Sequence, residues 1–278
     1  MRVPIKYIAS SGREYSLMSN GIKPKSANYH KWEWGVEGTK LQFGTRVAGF
    51  SREPATYETE LYISGGPLVR ESIVNAMHDD FENDVRSKKT GKIVWGSYYV
   101  NCFITSSDTH PSDERPETVN VIGIYCPYPF WIEEMLVSMP PSQVTTGTFL
   151  DFPYDFEYDY TAPAVGQKNV QSDFPFESEF EMIIYGFVDN PRVTINGYSY
   201  VLYTTIPQGA YVVIDSRQKT IMQYNNGTQT NIFNYRNKTD SVFQKIPSGN
   251  LDITWDSSFG VDLKIYHERS EPRAGVMA

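Results

Sequence analysis

Asp215 is the acidic residue whose position most suggests chemistry, because it ends the apolar run YVVI at residues 211–214. A carboxyl group at the end of a strand can act as a general acid when a partner group and a pocket accompany it. The residues that follow, SRQK at 216–219, supply neither. Asp is also preferred at the first position of a β-turn, where its side chain accepts a hydrogen bond from a backbone N–H further along the chain. We therefore predict that Asp215 is the corner of a hairpin.

A second group of carboxylates lies in the segment LDFPYDFEYDY, where acidic and aromatic residues alternate. Two such carboxylates could hydrolyse glycosides. The segment does not match an EF-hand calcium loop, because Tyr160 takes the sixth position from Asp155 and Gly166 takes the twelfth. We predict a loop that contacts a partner protein, with a hydrolase as the alternative. The candidate contact residues are Asp151, Phe152, Tyr154, Asp155, Phe156, Glu157, Tyr158 and Asp159.

The other residues that could do chemistry are scattered along the chain. Cys102 and Cys126 fit neither a disulfide framework nor a CxxC metal pattern, so we predict buried free thiols. No GxSxG, GxxxxGK or GxGxxG motif is present. The histidines form no HxxxH or HExxH pair that could hold zinc; they are His30, His78, His110 and His267. We therefore expect no catalytic, cofactor-binding or metal-binding residue, and no enzymatic activity.

The charge balance argues against one large class of function. Asp and Glu number 33 and Lys and Arg 25, which gives a formal net charge of −8. A general nucleic-acid binder must neutralise phosphates and would carry the opposite sign. No apolar run approaches the roughly 18 residues that a membrane span needs, and the first residues lack a signal-peptide core. We expect a soluble protein made in a cytosol, with no membrane insertion.

The elements that would position these residues are mostly strands. The 20 Tyr, 15 Phe and 5 Trp residues, with many Val, Ile and Thr, favour a mainly β chain, and 278 residues favour two domains. We predict an N-terminal β-sandwich-like domain with one α-helix at residues 1–138 and a C-terminal β-sandwich at 139–278. The proline-rich segment at about 140–176 predicts the connection and a long loop.

One segment, GPLVRESIVNAMHDDFEND, predicts the helix, with Pro67 as its first residue after Gly66. Its apolar residues recur every four positions and predict one buried stripe of Val69, Ile73, Met77 and Phe81. Residues 92–108 predict a long strand with a kink at Gly96.

The C-terminal half shows short strands separated by turn signals. The Asn-Gly pairs at 196–197 and 226–227 are strong signals for two-residue hairpin turns. Many short strands at regular spacing, without a helix among them, predict a β-sandwich.

Four sequence stretches, taken in this order, resemble the distal tail protein (Dit) family of siphophages over essentially the whole chain. They are YPFW at 128–131, NPRVTING at 190–197, IPQGAYVVIDS at 206–216 and IPSGNLDITW at 246–255. The resemblance implies that the N-terminal domain forms a ring that continues the tail tube. It also implies that the C-terminal β-sandwich is galectin-like, and that none of the four stretches is a catalytic motif.

The resemblance further implies a structural role in the virion, at the tail tip, after assembly in the host cytoplasm. Members of the family form a homohexameric ring at the distal end of the tail tube, with a central channel through which DNA passes without specific binding. The expected partners are the tail tube protein, the tape measure protein, the tail-associated lysin or fibre protein, and receptor-binding proteins. The alternative is a carbohydrate-binding module that contacts the host surface.

Overall fold

The computed structural model describes residues 4–18, 21–111, 117–141 and 165–273. The chain divides into two compact units. Unit 1 comprises the residues up to Glu133 and those from Glu268 onward, and unit 2 comprises Glu134–His267. Antiparallel strands dominate both, and the described residues contain one α-helix, so the prediction of a mainly β chain with one helix is confirmed. No helix among the described residues is long and apolar enough to cross a membrane.

The first eleven elements along the chain include the helix. They are β1 (Ile5–Ile8), β2 (Glu14–Ser16), β3 (Ile22–Ala27), β4 (Gly35–Lys40), β5 (Thr45–Ser51), β6 (Ala55–Ile63), α1 (Pro67–Ser87), β7 (Gly91–Trp95), β8 (Tyr98–Pro111), β9 (Thr118–Cys126) and β10 (Trp131–Met139). The pairing order in unit 1 runs β2, β1, β7, β8, β9, β6, β3, all antiparallel.

The remaining elements begin after residue 164. They are β11 (Val165–Ser172), β12 (Glu179–Tyr185), β13 (Val188–Asp189), β14 (Arg192–Ile195), β15 (Tyr198–Val201), β16 (Thr205–Ile206), β17 (Tyr211–Asp215), β18 (Thr220–Asn225), β19 (Thr228–Asn231), a 3-10 turn (Phe233–Tyr235), β20 (Gly249–Asp256) and β21 (Val261–Arg269).

Unit 2 is a β-sandwich, as predicted. One sheet has the order β19, β18, β17, β12, β21, and the other has the order β11, β20, β14, β15. Alternate side chains from both sheets meet in one core, for example Val212 and Leu263 from the first sheet and Ile253 from the second. The Asn-Gly turns at 196–197 and 226–227 are confirmed, since all four residues have positive φ and each pair joins adjacent strands.

Two predicted elements differ from the structure. Residues 92–108 form a hairpin of β7 and β8 instead of one kinked strand, because Gly96 has φ +61° and Trp95 pairs with Tyr98 across a two-residue turn. β11 lies inside the segment predicted as a loop. All eight of its residues pair with β20, so backbone pairing forms this strand where the side-chain pattern gave no signal.

Unit 1 has a core rich in aromatic side chains. Trp131 is fully buried, and its ring packs 5.9 Å from Tyr29 and 6.3 Å from Tyr57, measured between centroids. Cys102 and Cys126 lie in the same core as free thiols, as predicted. Burial raises the pKa of Cys102, so this thiol stays protonated and unreactive near neutral pH.

The helix begins at Pro67 as predicted, but its buried face differs from the predicted stripe. Met77 and Phe81 are buried, whereas Val69 is exposed. The helix has about 3.6 residues per turn, so steps of four residues drift by roughly 40° each and leave the core-facing side. The buried residues instead follow mixed steps of three and four: Val74, Met77, Asp80, Phe81 and Asp84.

Two of these buried helix residues are carboxylates held by hydroxyl groups of the N-terminal hairpin. The Tyr7 hydroxyl donates to Asp84 Oδ2, and Ser10 donates to Asp84 Oδ1 through its backbone N–H, at 3.0 Å, and its hydroxyl. The Tyr15 hydroxyl donates to Asp80 Oδ2 in the same way. A Cβ atom at Gly91 would lie 2.6 Å from the Tyr7 hydroxyl, so glycine there permits the close approach.

This network predicts a loss of stability at alkaline pH. Burial, together with the hydrogen bond to Asp80, raises the pKa of Tyr15 to about 12. The unfolded chain loses this proton near pH 10 while the folded chain keeps it, so the stabilisation is complete below pH 10 and is lost as the pH rises toward 12. We expect the Tyr15 contribution to the fall in the free energy of unfolding to be about 1–3 kcal/mol over that range.

Urea unfolding at pH 9, 10, 11 and 12 measures this effect. Tyr15→Phe lacks the titrating hydroxyl, so its free energy of unfolding should fall less steeply across the range, even if its value at pH 9 is lower. Equal slopes for the two proteins would contradict the assignment to Tyr15.

Candidate functional site

Asp215 is a corner residue, as predicted. Its Oδ1 accepts hydrogen bonds from the backbone N–H groups of Arg217, at 2.8 Å, and Gln218, at 3.0 Å. Asp215 pairs with Thr220 where β17 turns into β18, and Lys219 takes a positive φ of 55° to close the turn. The carboxylate thus stabilises the turn that follows β17.

The predicted partner-contact residues, 151–159, lie outside the described residues. Both interpretations of this segment, a docking loop and a pair of hydrolytic carboxylates, stay predictions.

The histidines contact different parts of the fold. His78 Nε2 lies 2.8 Å from the Ser107 hydroxyl oxygen, and the His267 ring stacks on Phe174 with centroids 4.9 Å apart. His30 Nδ1 lies 3.6 Å from a Glu271 carboxylate oxygen. Over the described ranges, no three His, Cys, Asp or Glu side chains are grouped so that they could hold a metal ion.

The most exposed apolar feature of unit 1 is the hairpin of β4 and β5, residues 35–51, which we call the arm. Its two strands pair only with each other among the described strands. Residues 41–44 form its tip, closed by a hydrogen bond from the Leu41 N–H to the Gly44 carbonyl at 3.0 Å. A two-stranded ribbon has marginal stability in water unless something covers it.

One face and the tip of the arm are apolar. Val36 lies directly opposite Phe50, and Val47 follows on the same face. Phe43 is 87 % exposed and Phe50 is 63 % exposed, and Leu41 beside them is also exposed. Contiguous exposed apolar groups of this kind mark interaction surfaces in soluble proteins.

The arm is attached firmly at its base. The Arg52 guanidinium lies over two rings, 4.8 Å from the centroid of Phe130 and 5.6 Å from that of Trp34. The same group donates a hydrogen bond to the Ser270 hydroxyl at 2.7 Å. These contacts fix the base of the arm, while its tip projects apolar side chains into solvent.

A groove between α1 and β8 is the second candidate surface of unit 1, with a cavity volume of about 610 Å³. We call it the α1–β8 groove. The helix contributes Phe81, Glu82 and Val85, and the strand contributes Ile104 and Thr105, with His78, Ser106 and Ser107 completing the lining. Its size lies within the range of ligand clefts, and its lining mixes apolar and polar groups.

Unit 2 carries a row of three tyrosines on the outer face of its larger sheet, which we call the tyrosine row. Tyr185 pairs with Tyr211, and Tyr211 pairs with Tyr224. The rings of Tyr211 and Tyr224 stack with centroids 4.9 Å apart and an interplanar angle of 11°. Stacking covers one face of each of these two rings. The carbohydrate-binding alternative stays a prediction.

Sequence reasoning missed both surfaces of unit 1. The alternation in YHKWEWGVE, residues 29–37, predicts a strand, whereas β4 begins only at Gly35. The signal that could have revealed the arm is the run of glycines at 35, 38, 44 and 49 among apolar residues, since glycine supplies no side chain for a core. The groove depends on the packing of α1 against β8, elements separated by ten intervening residues, 88–97.

Two solved phage proteins resemble this chain over nearly its whole length. The SPP1 Dit (gp 19.1) protein, a paradigm of the hub adsorption apparatus in Gram-positive infecting phages, aligns with 97 % of this chain and 100 % of its own, with a TM-score of 0.61 and 7 % identity. A chain of the phage P2 baseplate in its activated conformation with Ca aligns with 98 % of this chain and 100 % of its own, with a TM-score of 0.64 and 14 % identity.

The same baseplate with Sr gives a TM-score of 0.64 at 13 % identity, again with 98 % of this chain and 100 % of that chain covered. No protein-family model and no curated protein sequence matches. The chain has the fold of these phage hub and baseplate proteins, which confirms the fold implied by the resemblance to the distal tail protein family.

Proposed function

We propose that this chain is a structural protein of a phage tail and forms a homohexameric ring at the distal end of the tail tube. The observation that carries the proposal is the likeness of fold to a Dit hub protein and a baseplate chain over 97–98 % of the sequence. The exposed apolar arm of unit 1 supports it, because a projecting apolar hairpin needs a partner to cover it.

A ring of identical subunits requires two different, complementary surfaces on each copy. Unit 1 offers an exposed arm and a groove, which differ in shape and charge. A strand-rich subunit also has edges that invite pairing with other chains, and closure into a ring covers them. The exposed arm, the groove and the open strand edges therefore support self-association through unit 1.

The proposed ring is a hub. It joins the tail tube protein and the tape measure protein to the tail-associated lysin or fibre protein and to receptor-binding proteins, at the tail tip of the virion after assembly in the host cytoplasm. The net charge of −8 suits a central channel, because acidic walls repel the phosphates of passing DNA. An electrostatic map of the assembled ring with a basic lumen would contradict this part of the proposal.

The role is structural and not enzymatic. The buried carboxylates of the helix, Asp80 and Asp84, accept hydrogen bonds from hydroxyl groups that hold the fold together. The Asp215 carboxylate accepts two backbone hydrogen bonds within its own turn. These acids are therefore engaged in structure and are not free to transfer protons to a substrate.

Native mass spectrometry of the purified full chain tests the proposal. The expected result is a dominant species of six times the 31.8-kDa chain mass, measured over a range of protein concentrations because assembly follows mass action. A strict monomer at the highest attainable concentration would contradict self-assembly.

A further inference from the structure

The arm and the α1–β8 groove are both parts of unit 1, and each lacks what the other supplies. The arm presents apolar side chains at its tip with no cover, most prominently Phe43, which is 87 % exposed. The groove is an open recess with an apolar floor: Phe81 and Ile104 are buried beneath it, and Val85 is an exposed part of its lining. Every copy of the chain therefore carries one projection and one recess.

The size of the groove suits the tip of the arm. Its volume of about 610 Å³ exceeds that of any single side chain and falls in the range of clefts that bind small ligands. The tip is a compact turn in which Leu41 and Phe43 flank Gln42. Two apolar side chains with one polar residue between them match a recess with an apolar floor and polar walls.

Charged side chains border both surfaces. The arm carries Lys40 and Arg46 against one acid, Glu37, so it is locally basic in a chain with a net charge of −8. One carboxylate, Glu82, lines the groove, and it already accepts a hydrogen bond from Arg86 Nε at 2.7 Å. The two surfaces are therefore matched by shape and apolar character, and charge contributes little.

We infer that the arm of one copy inserts its tip into the α1–β8 groove of a second copy. Leu41 and Phe43 contact Phe81, Val85 and Ile104 of that copy. The contact is head-to-tail, because each copy gives its arm to one neighbour and its groove to another, and such contacts close into a ring when the rotation between copies permits. The inference rests on the proposed function, since it names the surfaces through which the ring forms.

Cysteine cross-linking of mixed full-length variants tests the contact. Gln42→Cys in one chain is mixed with Glu82→Cys or Thr105→Cys in another, so that one groove position lies on each wall and Phe43, Leu41 and Val85 stay intact. A disulfide requires the two Cβ atoms to approach within about 4.5 Å, so only close contact allows it. The native thiols, Cys102 and Cys126, are fully buried and do not compete.

The matched control mixes Gln42→Cys with Gln229→Cys, an exposed glutamine of unit 2. After mild oxidation, we expect the two groove mixtures to form the disulfide-linked pair at least about tenfold faster than the control, because docking raises the effective concentration of the thiols.

Native mass spectrometry of the same samples separates the outcomes. Multimers that form without faster cross-linking of either groove mixture would overturn the arm-to-groove contact and leave the proposed ring standing. Monomers throughout would overturn both. Arm cysteines that cross-link only to an added tail tube protein would assign the arm to that partner and overturn the contact between copies.

Discussion

Asp84→Ala should lower the free energy of unfolding of unit 1 by about 2–4 kcal/mol, the largest stability effect expected from a single helix position outside the apolar core. Asp84 is fully buried and accepts hydrogen bonds from the Tyr7 hydroxyl and from both donors of Ser10. Alanine leaves these buried donors without an acceptor, and each unsatisfied group costs about 1–3 kcal/mol. Removal of the buried charge offsets part of that cost.

Urea unfolding followed by tryptophan fluorescence measures the change. Four of the five tryptophans lie in unit 1 and only Trp255 lies in unit 2, so the signal reports mainly on the unit that holds the network. Measurements at low protein concentration keep self-association from adding to the apparent stability.

Two further variants make the result specific. Asp79→Ala changes an exposed carboxylate of the same helix and should stay within about 0.5 kcal/mol of the wild type. Asp84→Asn keeps an acceptor oxygen and should fall between the wild type and Asp84→Ala. An Asp84→Ala protein as stable as Asp79→Ala would show that the hydroxyl groups find other acceptors.

The features that sequence reasoning predicted correctly are governed by local chemistry. The Asn-Gly turns at 196–197 and 226–227 need positive φ at two successive residues, and Asn and Gly supply it. Asp215 caps its own turn through atoms two and three residues away. The helix start at Pro67 depends on the fixed φ of proline. In each case the deciding interactions lie within a few residues along the chain.

The features that it missed depend on residues distant in sequence. Asp80 and Asp84 are buried because Tyr15 and Tyr7, more than 60 residues earlier, donate hydrogen bonds to them. A carboxylate on a helix is normally assigned to the wet side, since burial without partners is costly. β11 is a strand because β20 pairs with it, although its own residues, GQKNVQS after Val165, show no apolar alternation.

Sequence reasoning missed the arm for a different reason, which is that its apolar residues are exposed. Alternating apolar residues ordinarily predict one buried face, yet Val36, Phe43 and Phe50 are exposed in the folded chain. The same pattern that builds a core within one chain can therefore mark a surface whose partner is another chain. This conflict between pattern and burial is the physical reason to assign the arm to assembly.

Phe43→Asp should convert the assembled protein into monomers at micromolar concentration. Phe43 is 87 % exposed in one copy, so the substitution removes almost no contact from the isolated chain. In the proposed contact the Phe43 side chain is buried in a neighbouring copy, and its loss costs about 2–3 kcal/mol per interface, or roughly 30- to 150-fold in affinity. Aspartate adds the cost of removing a charge from water.

Every copy in a closed ring contributes one arm, so the loss of affinity recurs at each interface. Open assemblies with fewer copies than the full ring are weakened as well. Native mass spectrometry and sedimentation velocity at one protein and salt concentration compare the variant with the wild type. Phe176→Asp, at a phenylalanine of unit 2 that is 67 % exposed, is the matched control and should assemble normally. The urea midpoint of Phe43→Asp should match that of the wild type when both are monomeric, since Phe43 is almost fully exposed in its own chain. If Phe43→Asp assembles as the wild type does, the arm tip lies outside the interface between copies, and the apolar side chains at 41 and 43 must be covered by a different protein.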